Sequence, residues 1–372
     1  MFTFKTNREN LYVSLFLLAI FIVYSNADIG FSFDYQFYIN DFKSISSSTF
    51  SNLFSNLNGI YILLDESKFT VGREVGFVIF IKLISFLISS PELIYAVAAI
   101  FSLTIKAYIM RKIGIYWPYI FLILLYSAIL LEGNALRSGI SLSIFMLSIF
   151  LLLRKKSPLT ILFLWLIAFS LHLQSLFFIF TFATIFMLSL NRYSNFVTLL
   201  FFLALMFTGI MASQILGYFT SGKILSYLDI NSASGGLNLR SIISLFLLIF
   251  VTRTFIVNSS FRKKNNIIFA LVSCTIPALS IFIFLTDVAV VGDRLWQWGF
   301  IILAVYIYPY YSEFKLINFK NNIRLHIPKF LIISLLSISL INITIRYPLT
   351  NLLYPITPYV DFTDRSLIGR SQ

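Results

Sequence analysis

The stretch Glu132–Lys156, EGNALRSGISLSIFMLSIFLLLRKK, decides how this chain is read. An apolar run of near bilayer-spanning length ends on three consecutive cations, Arg154, Lys155 and Lys156. Cations clustered at the end of a span mark its cytoplasmic side, so the run enters from the opposite face. At that opposite mouth stands one more cation, Arg137, among the small residues Gly133, Ser138 and Gly139. Charge at membrane depth is expensive, and a permanent cation there needs a partner or a task.

The rest of the chain has the same character. Of its 372 residues, 59% are hydrophobic, 18% aromatic and only 12% charged, against roughly 25% charged in soluble domains. The expected fold is therefore an all-α polytopic membrane protein. Twelve apolar runs read as candidate spans: 11–27, 75–90, 93–110, 116–131, 136–153, 159–171, 175–190, 196–212, 239–257, 267–285, 295–311 and 330–345. Several are near the short limit for crossing ~30 Å of hydrocarbon. The whole of 1–372 is expected to be one membrane domain of about 11–13 helices. Residues 28–74 form an outer amphipathic loop, 213–238 a second outer loop and 347–372 an outer tail. The first run follows Lys5 and Arg8 and lacks a small-residue cleavage site, so it reads as a retained helix and not a signal peptide.

The net charge of +13 belongs mainly to short connections between apolar runs. That is a topology signal and not a nucleic-acid surface. Arg262-Lys263-Lys264 and the cations of 315–329 join Arg154-Lys155-Lys156 on the cytoplasmic side. The connections 132–138, 171–174, 213–238 and 286–294 then all fall on the opposite face. The N-terminal third does not close this way: Lys5 and Arg111-Lys112 share a side only with an even number of crossings between them. Either 50–64 enters the membrane or one segment within 75–110 is a partial pass. FDYQFYINDFKSI and SNLFSNLNGIYILL, both within 28–74, read as amphipathic helices lying along the surface.

Soluble-enzyme signatures are missing: no GxxxxGK[ST], HExxH or GxSxG occurs, and two histidines with one cysteine make a zinc site a poor reading. Cys274, within an apolar run, reads as a small buried hydrophobe. Candidate chemistry lies in ionisable groups at helix ends. Arg137 is either an arginine snorkelling to lipid phosphates or a guanidinium for bidentate phosphate recognition. His172, in SLHLQS, is either satisfied by a neighbouring carbonyl or a proton acceptor or donor. Arg294, in GDRLWQW, opens a helix next to Asp293, with which it can pair only weakly, and Trp296 and Trp298 read as interfacial aromatics or as platforms for a sugar ring. Asp34 and Glu74 are solvated surface carboxylates, ion-pair partners or a general base for a sugar hydroxyl. Arg240 and Lys223 add positive potential.

The order of these motifs resembles the EpsG-like group of the Wzy-type polysaccharide polymerases: D-Y-x-x-Y (Asp34, Tyr35, Tyr38), E-x-G-F (Glu74, Gly76, Phe77), the arginine–small–glycine entry at Arg137, a histidine after the next span, then D-R-L at Asp293–Leu295. Relatives often carry R-Q-G where this chain has Arg137-Ser138-Gly139. The resemblance implies a GT-C-like membrane glycosyltransferase that works without nucleotide sugar, metal or other cofactor. Its substrates are undecaprenyl-diphosphate-linked oligosaccharides at the outer face of the bacterial inner membrane. It also implies contact with membrane lipid and with a chain-length regulator. In that frame Arg137 and Arg294 clamp the diphosphate with help from Arg240, and His172, Asp34 or Glu74 handles the proton. A lipid-linked oligosaccharide flippase would instead show ionisable groups near the bilayer midplane on broken helices. An O-antigen ligase shares donor and chemistry and stays open as an alternative.

Overall fold

The computed structural model describes residues 7–25, 35–66, 69–133, 135–190, 194–218, 239–284, 289–310 and 330–338. Asp34, Lys223 and the tail from 347 lie outside them. The described chain is overwhelmingly helical, as a polytopic membrane protein requires, because lipid offers no partner for an open backbone. Among the described residues, five helices are long and apolar enough to cross a membrane: α5 (Pro91–Ile113), α7 (Leu136–Leu153), α10 (Asn195–Tyr218), α11 (Leu239–Val257) and α13 (Asn266–Phe284). Shorter apolar helices lie among them: α1 (Asn7–Tyr24), α4 (Val75–Ser85), α6 (Trp117–Ser127), α8 (Pro158–Leu171) and α9 (Gln174–Ser189). The short α12 (Ser259–Lys264) precedes α13, and α14 (Ala289–Tyr306) follows it.

Local sequence sets the boundaries. α5 starts where Ser90 accepts the Leu93 amide, with Pro91 in its first turn, where the missing N–H costs nothing. α10 continues to Tyr218, six residues beyond the expected span, taking over the start of the expected outer loop. At the opposite end of the bundle from Arg137, the basic Arg262-Lys263-Lys264 cluster is not all solvated. The Arg262 side chain is buried and donates to the Phe255 carbonyl at 2.6 Å, closing the end of α11.

α13 is the hub of the C-terminal half, packing against α9, α10, α11 and α14. It is the most enclosed of the five long helices, and α10 is the least. α7 packs against α5 and α8 in the N-terminal half. α14 is surrounded on all sides, which corrects the expectation of interfacial tryptophans. Trp296 and Trp298 are 1% and 0% exposed, because a helix apolar all round belongs in the core. Cys274 is buried, as expected.

The segment before α4 departs from two surface helices. FDYQFYINDFKSI does contain helix α2 (Tyr35–Ser47), but in SNLFSNLNGIYILL the helix α3 (Phe50–Ser55) stops early. The chain then turns into an antiparallel sheet, β1 (Leu57–Asn58), β2 (Tyr61–Glu66) and β3 (Phe69–Glu74), in the order β1-β2-β3. Asn58 pairs with Tyr61 across a two-residue loop in which Gly59 sits at φ +61°. The Asn-Gly signal and the β-branched and aromatic run after it outweigh the apolar periodicity. Arg73 on β3 forms an ion pair with the buried Asp41 of α2 and so ties the sheet to the helix.

In the N-terminal third, α4 is short. Its 11 residues span only about 16 Å, half of the hydrocarbon thickness. Lys82 near its far end reaches the Ser46 carbonyl of α2 at 2.9 Å, and Phe86 beyond it meets Phe50 of α3 at 5.9 Å. Both contacts are with elements of the segment that precedes α4, so both ends of α4 stay against that segment.

Candidate active site

Three segments distant in sequence meet at one end of the bundle: the β3–α4 junction, the first turn of α7 and the α8–α9 turn. Glu74 ends β3 and caps α4. Gly76, two residues on, lets α4 lie directly on the end of α8, since a Cβ there would be 2.7 Å from the Ser170 carbonyl carbon. That approach places Glu74 beside His172. His172 Nδ1 lies 2.8 Å from Glu74 Oε1, and the Arg137 guanidinium forms an ion pair with Glu74 Oε2. Arg137 also lies over the Phe77 ring, with Cζ 5.9 Å from the centroid, and Tyr38 hydrogen-bonds to it. Replacing Gly76 by valine is expected to cost about 1–3 kcal/mol by overpacking, read as a lower thermal unfolding midpoint of the purified protein in detergent. Gly76→Ala should lose less.

The electrostatics of the trio are fixed by burial and mutual charge. Burial would push the Glu74 carboxyl up, but the hydrogen bond to His172 and the Arg137 charge hold it at about 2. It is therefore an anion at any pH near neutrality. Burial also pushes His172 below its ordinary 6.5, against the pull of Glu74 and with the added repulsion of Arg137 and Arg294. The imidazole is thus neutral near pH 7. A neutral ring facing a carboxylate through Nδ1 carries its proton on that nitrogen, which leaves the Nε2 lone pair as a proton acceptor.

Ser138 and Gln174 complete the mouth. The Ser138 hydroxyl accepts from Trp298 Nε1 at 2.7 Å and donates to Gln174 Oε1 at 3.1 Å. Ser138 is therefore a link between α7, α14 and α9. Among the described residues, two buried donors at this mouth have no acceptor: Arg137 Nε and Gln174 Nε2. A buried donor without a partner costs about 1–3 kcal/mol, so both groups are open to an acceptor that reaches them. Nothing in the composition singled out Gln174. Its signal was its place in His172-Leu173-Gln174, the turn that carries the histidine.

The other expected residues fall nearby or elsewhere. Arg294 is close enough for its charge to act on His172. Arg240, at the start of α11, pairs with Asp293 and lies over Phe282 at 4.7 Å, so Asp293 is engaged by Arg240 across helices. Gln297 donates to the same carboxylate at 2.8 Å. Trp296 is enclosed in the core and presents no face to a sugar.

The model of the EpsG family matches residues 9–360. The chain belongs to the EpsG family. No curated protein and no solved structure matches it. Family membership gives the coarse role, a glycosyltransferase-like polysaccharide polymerase in the membrane. It also covers every element of the Glu74–Arg137–His172 cluster.

Proposed function

We propose that this EpsG family member polymerises a polysaccharide by moving a growing glycan from undecaprenyl diphosphate onto the sugar of a lipid-linked repeat unit, at the outer face of the bacterial inner membrane. One observation carries the reading: a neutral histidine backed by a carboxylate stands beside an arginine with an unsatisfied buried donor. This pairing suits transfer with loss of an anionic leaving group. The acceptor hydroxyl gives its proton to His172 Nε2 as its oxygen attacks the anomeric carbon. The bond from that carbon to the diphosphate oxygen breaks, and the diphosphate leaves with the electron pair. Arg137, at the positive end of the α7 dipole, meets the charge that develops there, and Gln174 Nε2 supplies a second donor. Arg294 adds potential at the same mouth. Glu74 keeps the imidazole in the right tautomer and holds the guanidinium. A GT-C-like, metal-independent reaction accords with this residue set, and a chain-length regulator is a natural partner.

A buried Lys–Glu pair, Lys106–Glu132, lies directly behind this mouth, which touches the flippase alternative. Both side chains are 0% exposed and enclosed by protein donors and acceptors, so in this conformation the pair faces no open cavity. The deciding experiment is the polysaccharide profile of a strain from which this gene is deleted. Polymerase function gives a ladder collapsed to a single repeat unit and restored by the wild-type chain. Loss of even single capped units would sink the reading in favour of flippase or ligase.

A further inference from the structure

We propose that the Lys106–Glu132 network is a positioning device for Arg137: it locks the turn before α7 and the first turn of α7 so that the guanidinium is presented in one orientation. The inference rests on the reading of Arg137 as the cation that meets the leaving group. Glu132 Oε1 accepts from Lys106 and from Ser102 Oγ at 2.6 Å, and its Oε2 accepts from Ser127 Oγ at 2.9 Å. Lys106 also donates to Ser127 Oγ at 2.8 Å and to the Gly139 carbonyl at 3.3 Å. Ser143 Oγ joins the Gly139 and Ser102 carbonyls, each at 3.0 Å. The network therefore reaches the α7 backbone two residues after Arg137. Gly139 has to be glycine for this, because a Cβ would lie 2.8 Å from Glu132 Oε1.

The segment that carries Glu132 is itself unusual. Residues Ala128–Glu132 form a π turn after α6, a rare geometry that concentrates at functional sites. Its carbonyls are taken by tyrosines: Tyr24 donates to Ala128, and Tyr95 donates to Glu132 and Gly133 at 2.5 and 3.0 Å. Tyr95 packs against Tyr38 at 5.9 Å, and Tyr38 in turn meets Arg137. Stability alone does not account for the pair. Desolvating two charges offsets most of their attraction, and apolar residues of similar volume hold a fold as well. What the charges add is one geometry for the segment that ends at Arg137.

The test uses the full chain in membranes with Cys274→Ala, Glu74→Cys and Arg137→Cys, cross-linked by a bis-maleimide. With Lys106 and Glu132 intact the two cysteines should cross-link efficiently. Adding K106M and E132M should lower the yield severalfold at unchanged protein abundance, and an unchanged yield overturns the proposal. If that double variant fails to accumulate, Ser143→Ala decides instead, because it removes one hydroxyl and leaves both charges. A lower yield supports positioning, and an unchanged one overturns it. With Glu74 and Arg137 native, K106M/E132M assayed on repeat-unit lipid from the deletion strain should lose kcat severalfold with KM little changed, and a normal kcat also overturns it. The cross-link reads geometry without any reaction, so it stands or falls separately from the polymerase reading, which fails if Arg137→Ala still polymerises.

Discussion

Arg137→Ala in place of the native gene is expected to abolish long polymer and leave single repeat units, while the protein stays in the membrane. Removing one donor from a developing oxyanion typically lowers kcat by about 10²–10³, and a chain built of many successive transfers multiplies that loss. The substitution has a second effect that has to be separated from the first. Arg137 is 18% exposed and its partner Glu74 only 5%, and stripping one partner from a buried pair costs about 3–5 kcal/mol, less here because the arginine is partly wet. Arg137→Ala alone therefore lowers abundance as well as activity. The double variant Arg137→Ala/Glu74→Ala removes both charges, so it should recover abundance without recovering polymer. Arg137→Lys keeps the charge and loses the fork, and should give short chains at near-normal abundance. Full-length polymer from any Arg137→Ala chain present at wild-type level, measured by polysaccharide gel and immunoblot, would remove Arg137 from the reaction.

Much of this was legible in the sequence, and the reasons differ by residue. Arg137, His172 and Arg294 were placed on one face by counting cations in loops, because that signal depends on composition and not on packing. Direct contact between Glu74, Arg137 and His172 was not legible. It depends on Gly76 letting α4 touch α8, a contact between positions about a hundred residues apart. The small sheet was missed because Leu, Ile and Tyr in YILL suit a surface helix as well as a strand, and the Asn58-Gly59 turn was the cue that separated them. Trp296 and Trp298 misled because interfacial tryptophans are common in membrane proteins, and the sequence does not show that α14 is enclosed on every side. Lys106 was invisible for a similar reason. A lone lysine in an apolar run looks like a tolerated charge until the fold brings Glu132 to it.

The activity should also depend on pH in a direction that the Glu74–His172 contact fixes. His172 works as a base only when neutral, and its folded pKa lies below the ordinary 6.5. Polymerisation should therefore hold a plateau through neutral pH and fall only as pH drops through that lowered value. Glu74→Gln removes the charge that pulls the His172 pKa up. The acidic limb should then move to lower pH, and the plateau should drop because a weaker base transfers the proton less well. His172→Ala should abolish the limb and cost about 10²–10⁴ in rate. Folding responds to acid in the same direction. The Glu74 carboxyl, held at about 2 in the folded chain, contributes stability above its unfolded pKa that is lost as pH falls towards 2. His172, depressed on folding, adds a loss as pH falls through 6.5, where the unfolded chain takes up the proton first. Recovery of rate on return to neutral pH separates titration from unfolding. A reversible limb above 6.5, or one that Glu74→Gln leaves in place, would show that His172 is not the base.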